Sequence, residues 1–555
     1  MAVTGLATPV EIRVRACPHS ATGRSGVMLT VAAPARSVAA ETRAWRTAAQ
    51  KSNTGRKKRG TWASNGRTEA SDMARIFERQ TREKSMLQSL AKRSSAVLPS
   101  PLIIHVVAEE WNRDGGRTGP RGAAGRMDSV KHKPDVLVVG GGIIGLCTAL
   151  ELQTSGRSVA ILDRGGVGAG CSFANAGWLT PCFAMPLPQP GMLLKAISWL
   201  LDAQSPFHIQ PRLSLDLVRW LWRFRQATNR RTMLASIEVL VALSHYTLAW
   251  FEKLAATTAA NGGDALGFER RGLLMVSGTN DGVEAAVNEM QLMADRGVSG
   301  RHLDRDAVLA FEPTLRPRVL GGVYFPDEAQ IDPYCASLAV AAAFRAAGGA
   351  ILPPAEAYDF DVSAGRISRV MTTQGPVEPD LVVLAAGSWS PSIATRLGLR
   401  VPILGGKGYS MTVDGATRRP ARPIMIVDRK IAVTPFPDRL RVAGTLELVD
   451  QDFSISVSRL QGIRRGVRDY LDLGDHEAAG AEPDVRDIWR GLRPCTPDGV
   501  PMIGFSQRLA NLFLCTGHQM LGLQTAAGSA RLAADLVLGR PPLTHPYPFR
   551  PERFG

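Results

Sequence analysis

Between Pro134 and a cluster of glycines lies an unbroken apolar run, Val136–Val139. It is too short for a helix and has no polar position to face water, so it predicts a strand buried on both faces. Residues 143–155 then repeat apolar groups at helical spacing and stop at Gly156. A second apolar run, residues 158–162, ends in Asp163. Strand, glycine turn, helix and strand thus follow one another within about thirty residues. The pattern returns near the C-terminus: residues 511–516 read as a strand, 517–522 as a turn and 523–538 as a helix that Gly539 stops. In between, the continuous run at residues 381–385 leads into AAGSWS. A buried strand ending in small residues is where an open α/β sheet receives a ligand.

Other stretches alternate. Leu440, Val442, Leu446 and Leu448 interleave with Arg441, Ala443, Thr445 and Glu447, which predicts a half-buried antiparallel strand entered through the turn PFPDR. Val457, Leu460, Ile463, Val467 and Leu471 have helical spacing. Residues 271–277 read as a strand, and Asp332 and Pro333 as the cap and first residue of a helix that ends at Gly348. The region 401–475 therefore predicts a second domain built on an antiparallel sheet. Residues 192–201 and 215–231 are amphipathic, and the latter interleaves Trp220 and Trp222 with Arg219, Arg223 and Arg225. Such a helix can lie on a membrane surface or pack over an active site, and both readings stay open.

Charge changes the picture of the N-terminus. The net charge of +16 is concentrated in residues 1–126, which hold 22 Lys+Arg against 9 Asp+Glu, while the remainder is close to neutral. These residues read as a disordered basic leader without a sustained pattern, apart from a charged helix expected around residues 73–93. Three origins remain open: a start assigned upstream of Met127, a disordered tail, or an organelle-targeting segment. The run Arg56, Lys57, Lys58, Arg59 raises nucleic-acid or membrane binding as a different class of function, with nucleic acid the weaker partner. The seven cysteines contain no C-x-x-C spacing, which fits neither a disulfide framework nor a zinc site and predicts a reducing, cytoplasmic setting. No stretch of about 18 uncharged apolar residues is present.

The first glycine turn carries chemistry. Gly140 allows a tight turn, Gly142 lets the backbone touch a pyrophosphate, and Gly145 lets helix and strand pack closely. The helix N-terminus offers unpaired N–H groups to phosphates, and Asp163 stands where a ribose hydroxyl would be held. A lone G-x-G-x-x-G is weak evidence; here both strands, the helix and the acid agree. The small-residue loop 165–183, with Ser172 and Asn175, is placed to approach the same cofactor. A nicotinamide dehydrogenase would use this fingerprint alone.

The ordered series VVGGGIIG, SFANAG, GGVYFPDEAQIDPY, VVLAAGSWSPSIATRLGLRVPILGGKGYS, RVAGTLEL, GLRPCTPDGVPMIG and TGHQMLG resembles the FAD-dependent amino-acid oxidoreductases of the D-amino-acid oxidase and glycine oxidase type, and among them the bacterial D-amino acid dehydrogenases. The resemblance covers about residues 134–540. It implies an α/β plus α+β fold: a Rossmann-like FAD domain assembled from residues 134–225, 321–400 and 485–545, and a substrate domain with an antiparallel sheet from residues 226–320 and 401–484. It implies FAD contacts at Val139, Gly140, Gly141, Gly142, Ile143, Ile144, Gly145, Asp163, Arg164, Ser172, Asn175, Ala176, Gly177, Ala386 and Gly387. Gly517, Gly522, Leu523, Gln524 and Thr525 would receive the flavin ring, whose reduced form carries negative charge that a helix N-terminus stabilises.

The implied reaction moves hydride from the α-carbon of an amino acid to flavin N5, and the imino acid hydrolyses to a 2-oxo acid and ammonia. The partners implied are a small amino-acid substrate and an electron acceptor that is a quinone or another carrier, with peripheral contact at the inner face of the membrane. Arg493, in GLRP, is expected to bind the substrate carboxylate as a planar fork, against the alternative of an ion pair with Asp487 or Asp498. Tyr409, Tyr334 and His518 are further candidates, with ordinary packing as the alternative for each. No metal is needed. Two departures bear on the substrate. The resembled dehydrogenases carry GHGTLGW where this chain has GHQMLGLQ, so Gln519, Met520 and Gln524 predict a different side-chain pocket. Pro435 and Phe436 stand where an arginine is common. Hydroxyproline, sarcosine and glycine stay open as alternative substrates.

Overall fold

In the computed structural model the described residues are 12–16, 27–31, 133–191, 207–209, 214–263, 266–474 and 484–554. The chain divides into residues 1–124 and 125–555. In the first unit Ile12–Ala16 pairs antiparallel with Val27–Val31, where the sequence pattern predicted no strand. The expected helix at 73–93, the basic run 56–59 and the amphipathic segment at 192–201 lie outside the described residues.

The second unit contains two large sheets. The first runs, edge to edge, Ala350–Ile351, Val159–Leu162, Val136–Val139, Leu381–Leu384, Leu512–Thr516, Met502–Phe505. All neighbours are parallel except the last pair. The chain builds outward on one side of Val136–Val139 and then returns to build on the other, so a topological switch point lies between it and Leu381–Leu384. Both faces are covered, as the uninterrupted apolar runs require. Val136, Val138, Ile161, Val383 and Phe513 pack with the helices Ile143–Thr154, Pro333–Ala346 and Ala526–Leu538. Leu137, Val139, Ala160, Leu162, Val382, Leu384, Leu512 and Leu514 pack with Phe360, Ile367 and Val370. These last three come from a three-stranded antiparallel sheet, Ala357–Ser363, Arg366–Thr372 and Gly375–Val377.

The second sheet runs Asp484–Cys495, Leu404–Asp414, Leu440–Val449, Ile431–Pro435, Ile424–Ile426, Leu273–Ser277, Gly321–Phe325, Arg301–Asp304, with Phe207–Ile209 also paired to Leu440–Val449. One face packs on the helix Val457–Tyr470.

Three expectations change. Gly321–Phe325 and all but the first residue of Asp484–Cys495, expected in FAD segments, are strands of the second sheet. The helix Leu215–Ala227 packs with Leu404, Leu448 and Cys495 of that sheet, while Arg230–Ala260, expected with the substrate domain, packs on the first core through Leu243, Leu248 and Phe251. The domains therefore interleave more finely than composition shifts suggest, because strand pairing rather than sequence neighbourhood decides membership. Finally, Leu440–Val449 is buried almost throughout rather than on one face, Arg441 and Glu447 included, because both sides of this sheet are covered.

Candidate active site

The glycine turn forms at the C-terminal ends of the first sheet, beside the switch point. Gly140 has φ +123°, and a Cβ there would collide with Ala385 O; at Gly145 it would collide with Gly140 O. Gly142 differs: the nearest atom to an added Cβ is Ser172 Oγ at 3.4 Å, so this face is open. Strand and helix force glycine at the first and third positions, and open space is kept at the second, where a pyrophosphate would approach the backbone. Asp163 braces the turn by accepting from Gly141 N at 2.7 Å and from Gly165 N at 2.7 Å. Ser172 Oγ accepts from Ile143 N at 2.9 Å and so satisfies one of the free N–H groups at the start of the helix Ile143–Thr154. The side chains of Val139 and Ile143 are buried in the two cores and Ile144 packs on one of them, which leaves their backbone for a cofactor. These residues fit the ADP half of FAD.

The loop beyond Asp163 ties the two sheets together. Ala174 O accepts from Ser410 Oγ at 2.7 Å, Ala176 O from Thr434 Oγ1 at 2.8 Å, and Asn175 O from Arg441 Nη1 at 3.4 Å. Asn175 Oδ1 accepts from Gly177 N, and Gly177 has φ +75° with no room for a Cβ beside Ile331 O. Arg164 is exposed and stacks over Trp389. Ala386 and Gly387 follow the Leu381–Leu384 strand, and Gly387 O accepts from Thr516 Oγ1 at 3.3 Å. None of Ser410, Thr434 and Arg441 was singled out from the sequence. Arg441 belongs to the polar half of the alternating run at residues 440–448, whose pattern predicts a solvent-facing side.

The C-terminal turn is tighter than expected. The helix begins at Ala526, not at residue 523, and Thr525 stands at its N-cap position. Leu523 is in the first core. Gln524 bonds Thr180 Oγ1 at 3.1 Å and Ser244 Oγ at 3.5 Å, and Thr525 Oγ1 bonds Leu521 O. The side chains of these residues are committed to the fold, so a flavin at Gly522, Leu523, Gln524 and Thr525 would meet backbone. Gly517 has φ +86° and packs on Thr496.

Arg493 lies on the strand Asp484–Cys495, its Cα paired with Gly406. Its guanidinium covers Gly408, where any Cβ would collide with it, and Nη1 donates to Thr445 O at 2.8 Å. Thr445 has φ +63°, an outlier for a β-branched residue, at a bulge in the pairing of Leu404–Asp414 with Leu440–Val449. Burial holds the Arg493 pKa below its ordinary value. Among the described residues no carboxylate pairs with it: Asp498 is engaged by Arg553 at 2.6 Å, and Asp487 is exposed. Cys171, whose thiol donates to Leu492 O at 2.8 Å, brings the cofactor loop to the same strand. A desolvated, backbone-oriented guanidinium with no anion of its own is suited to a carboxylate ligand. Gly408 and Thr445 were missed; two glycines spaced by one residue in a strand, Gly406 and Gly408, were the available signal.

Three candidates do not join this site. Tyr409 packs with Met411 and Val413 in the core on the far face of the sheet, and its hydroxyl accepts from Ser456 N at 3.3 Å. Alternation puts Ser410, not Tyr409, toward the cofactor loop. His518 is buried and bonded to Ser529 Oγ at 3.0 Å. Burial lowers its pKa to about 3, so it stays neutral and holds the turn against the last helix. Tyr334 meets Phe173 of the loop after Asp163, with ring centroids 4.9 Å apart and the planes tilted by 60°, and makes no hydrogen bond to Arg493. Among the described residues no cluster of His, Cys, Asp and Glu could hold a metal ion.

The model of the DAO family, FAD dependent oxidoreductase, matches residues 135–536. D-amino acid dehydrogenase of Rhizobium johnstonii is 33% identical over 413 residues, 73% of this chain and 96% of that protein. D-amino acid dehydrogenase of Cereibacter sphaeroides is 34% identical over 414 residues, 73% of this chain and 92% of that protein. Among solved structures, glycine oxidase from Geobacillus kaustophilus superposes with a TM-score of 0.61 at 23% identity, covering 76% of this chain and 98% of that one, which speaks for the fold. With its glycine cradle, its switch point and these matches, the chain belongs to the DAO family of FAD-dependent oxidoreductases.

Proposed function

We propose that this enzyme deaminates a D-amino acid, or a related small amino or imino acid, by oxidation at the α-carbon. Bound FAD supplies the hydride acceptor, flavin N5. The amine loses a proton, the α-carbon loses hydride, and water converts the resulting imino acid to a 2-oxo acid and ammonia. Gly140, Gly141, Gly142 and Gly145 with Asp163 would hold the dinucleotide. Arg493 would hold the substrate carboxylate and so fix the α-carbon in reach, the part of catalysis that the protein itself contributes. The observation that carries this reading is the Arg493 guanidinium, which has no carboxylate partner among the described residues and is held by Thr445 O beside the cofactor loop. The test is anaerobic addition of a D-amino acid panel to the purified yellow protein. Bleaching by one or more members is expected; a flavin that no amino or imino acid reduces would refute it.

The electron acceptor is proposed to be a quinone or another carrier, reached at a membrane surface. The helix Leu215–Ala227 supports this. Its inner face, Leu217, Trp220 and Phe224, is buried, while Leu215, Val218 and Trp222 are 74%, 62% and 59% exposed. Their spacing puts them on one outward stripe, flanked by Arg219 and Arg225, the arrangement of a helix lying in a bilayer interface. Among the described residues only Arg230–Ala260 is long and apolar enough to cross a membrane, and its buried face packs in the first core. Reduced enzyme mixed with oxygenated buffer should reoxidise far more slowly than turnover; equal rates would make it an oxidase.

A further inference from the structure

The turn after the Leu512–Thr516 strand contains a side chain whose needs the fold does not meet. Gln519 is 5% exposed, and neither Nε2 nor Oε1 has a hydrogen-bond partner among the described residues. A buried carboxamide in this state has lost water at both ends and gained nothing. Its backbone is also unusual: φ is +50°, the left-handed region that favours glycine. The chain therefore bears both backbone strain and an unmatched amide at a position where glycine would bear neither. Strain of this kind gathers at functional sites.

The location is close to the substrate anchor. His518, the preceding residue, bridges to Cys495, two residues beyond Arg493. The amide itself lies over Gly499, with Nε2 2.9 Å from where a Cβ on that glycine would stand, beside Pro186. The other amide of the same turn, Gln524, is satisfied by Thr180 and Ser244. The unmet demand is thus specific to Gln519.

We infer that Gln519 sets substrate specificity: its carboxamide pairs with a substrate side chain that offers both a donor and an acceptor, a carboxamide or a hydroxyl, so polar D-amino acids are preferred over apolar ones of similar size. This rests on the reading of the site as an amino-acid oxidising one. The amide lies against Gly499, in the turn that follows the strand carrying Arg493, so the ligand nearest to hand is the one that Arg493 would anchor. A site built to hydrogen-bond a substrate group discriminates strongly against analogues that lack it, because the protein group is then left buried and unpaired.

The test uses full-length holoenzyme carrying Gln519→Gly or Gln519→Leu. Glycine suits the positive φ and keeps the fold; leucine keeps most of the volume and removes both hydrogen-bonding atoms. kcat/KM is measured for D-glutamine, D-asparagine and D-serine against D-norvaline and D-alanine, together with the flavin absorption spectrum and midpoint potential. The polar-to-apolar ratio is expected to fall at least tenfold in both variants, with spectrum and potential unchanged. An unchanged ratio overturns the inference, and an unchanged ratio with a shifted potential assigns the amide to the flavin ring instead. If the unmutated enzyme oxidises no amino or imino acid, both this inference and the reading beneath it fall; if it is active and the ratio is unmoved, this inference alone falls.

Discussion

Replacing Arg493 with alanine removes the proposed carboxylate anchor and little else. The guanidinium has one hydrogen bond, to Thr445 O, and no ion-pair partner among the described residues, so its loss leaves no protein carboxylate stranded. What it strands is the substrate carboxylate. Truncating one member of a buried, hydrogen-bonded charge pair costs about 2–5 kcal/mol. At about 1.4 kcal/mol per factor of ten, KM should rise roughly 30- to 4,000-fold. Arg493→Lys should recover part of this, because a point charge cannot meet both oxygens. Gly408→Ala supplies an independent arm: its Cβ would collide with the guanidinium, so KM should rise although the charge remains. The assay is steady-state turnover with a dye acceptor, paired with the flavin spectral change on adding a non-reacting carboxylate. An Arg493→Ala enzyme with normal flavin content and unchanged KM would show that the carboxylate is held elsewhere, and the substrate would have to be moved.

Gly142→Val should fold yet lose FAD, because only Ser172 Oγ stands near its Cβ, whereas Gly145→Ala should fail to fold because its Cβ collides with Gly140 O; flavin retention by Gly142→Val would contradict the cradle. His518, with its pKa lowered to about 3 by burial, stays neutral in the native state while the unfolded chain binds a proton below about 6.5. Its contribution to stability is therefore full above about pH 6.5 and is lost as pH falls toward 3, by roughly 1.4 kcal/mol per unit. His518→Asn should flatten that slope in denaturation and leave the pH profile of kcat/KM near neutrality unchanged; a lost limb would return histidine to the chemistry. Changing Leu215, Val218 and Trp222 together to serine should abolish co-sedimentation with vesicles of anionic lipid while sparing dye-linked turnover, and unmutated protein that stays in the supernatant would remove the membrane reading.

Local order decided what the sequence could reveal. A run such as Val136–Val139 has no polar position, and that alone requires cover on both faces, which the two cores supply. The glycines at 140, 142 and 145 declare a turn because their steric needs arise within a few residues. The motif marks Arg493 as a candidate, although its orientation by Thr445 O has no signal in the sequence. What alternation cannot say is which side of a strand faces what. Tyr409 and Ser410 are neighbours, and only the packing of the helix Val457–Tyr470 on one side and the cofactor loop on the other sends the tyrosine to the core and the serine to the site. The same missing information made Arg441 and Glu447 look solvent-facing and His518 look catalytic. Domain membership was hidden for a like reason: Gly321–Phe325 and Asp484–Cys495 belong to the second sheet because of partners far along the chain. Periodicity is written by neighbours in sequence, whereas burial, pairing and the fate of a polar group depend on which distant surface arrives to cover it, and that only the tertiary structure decided.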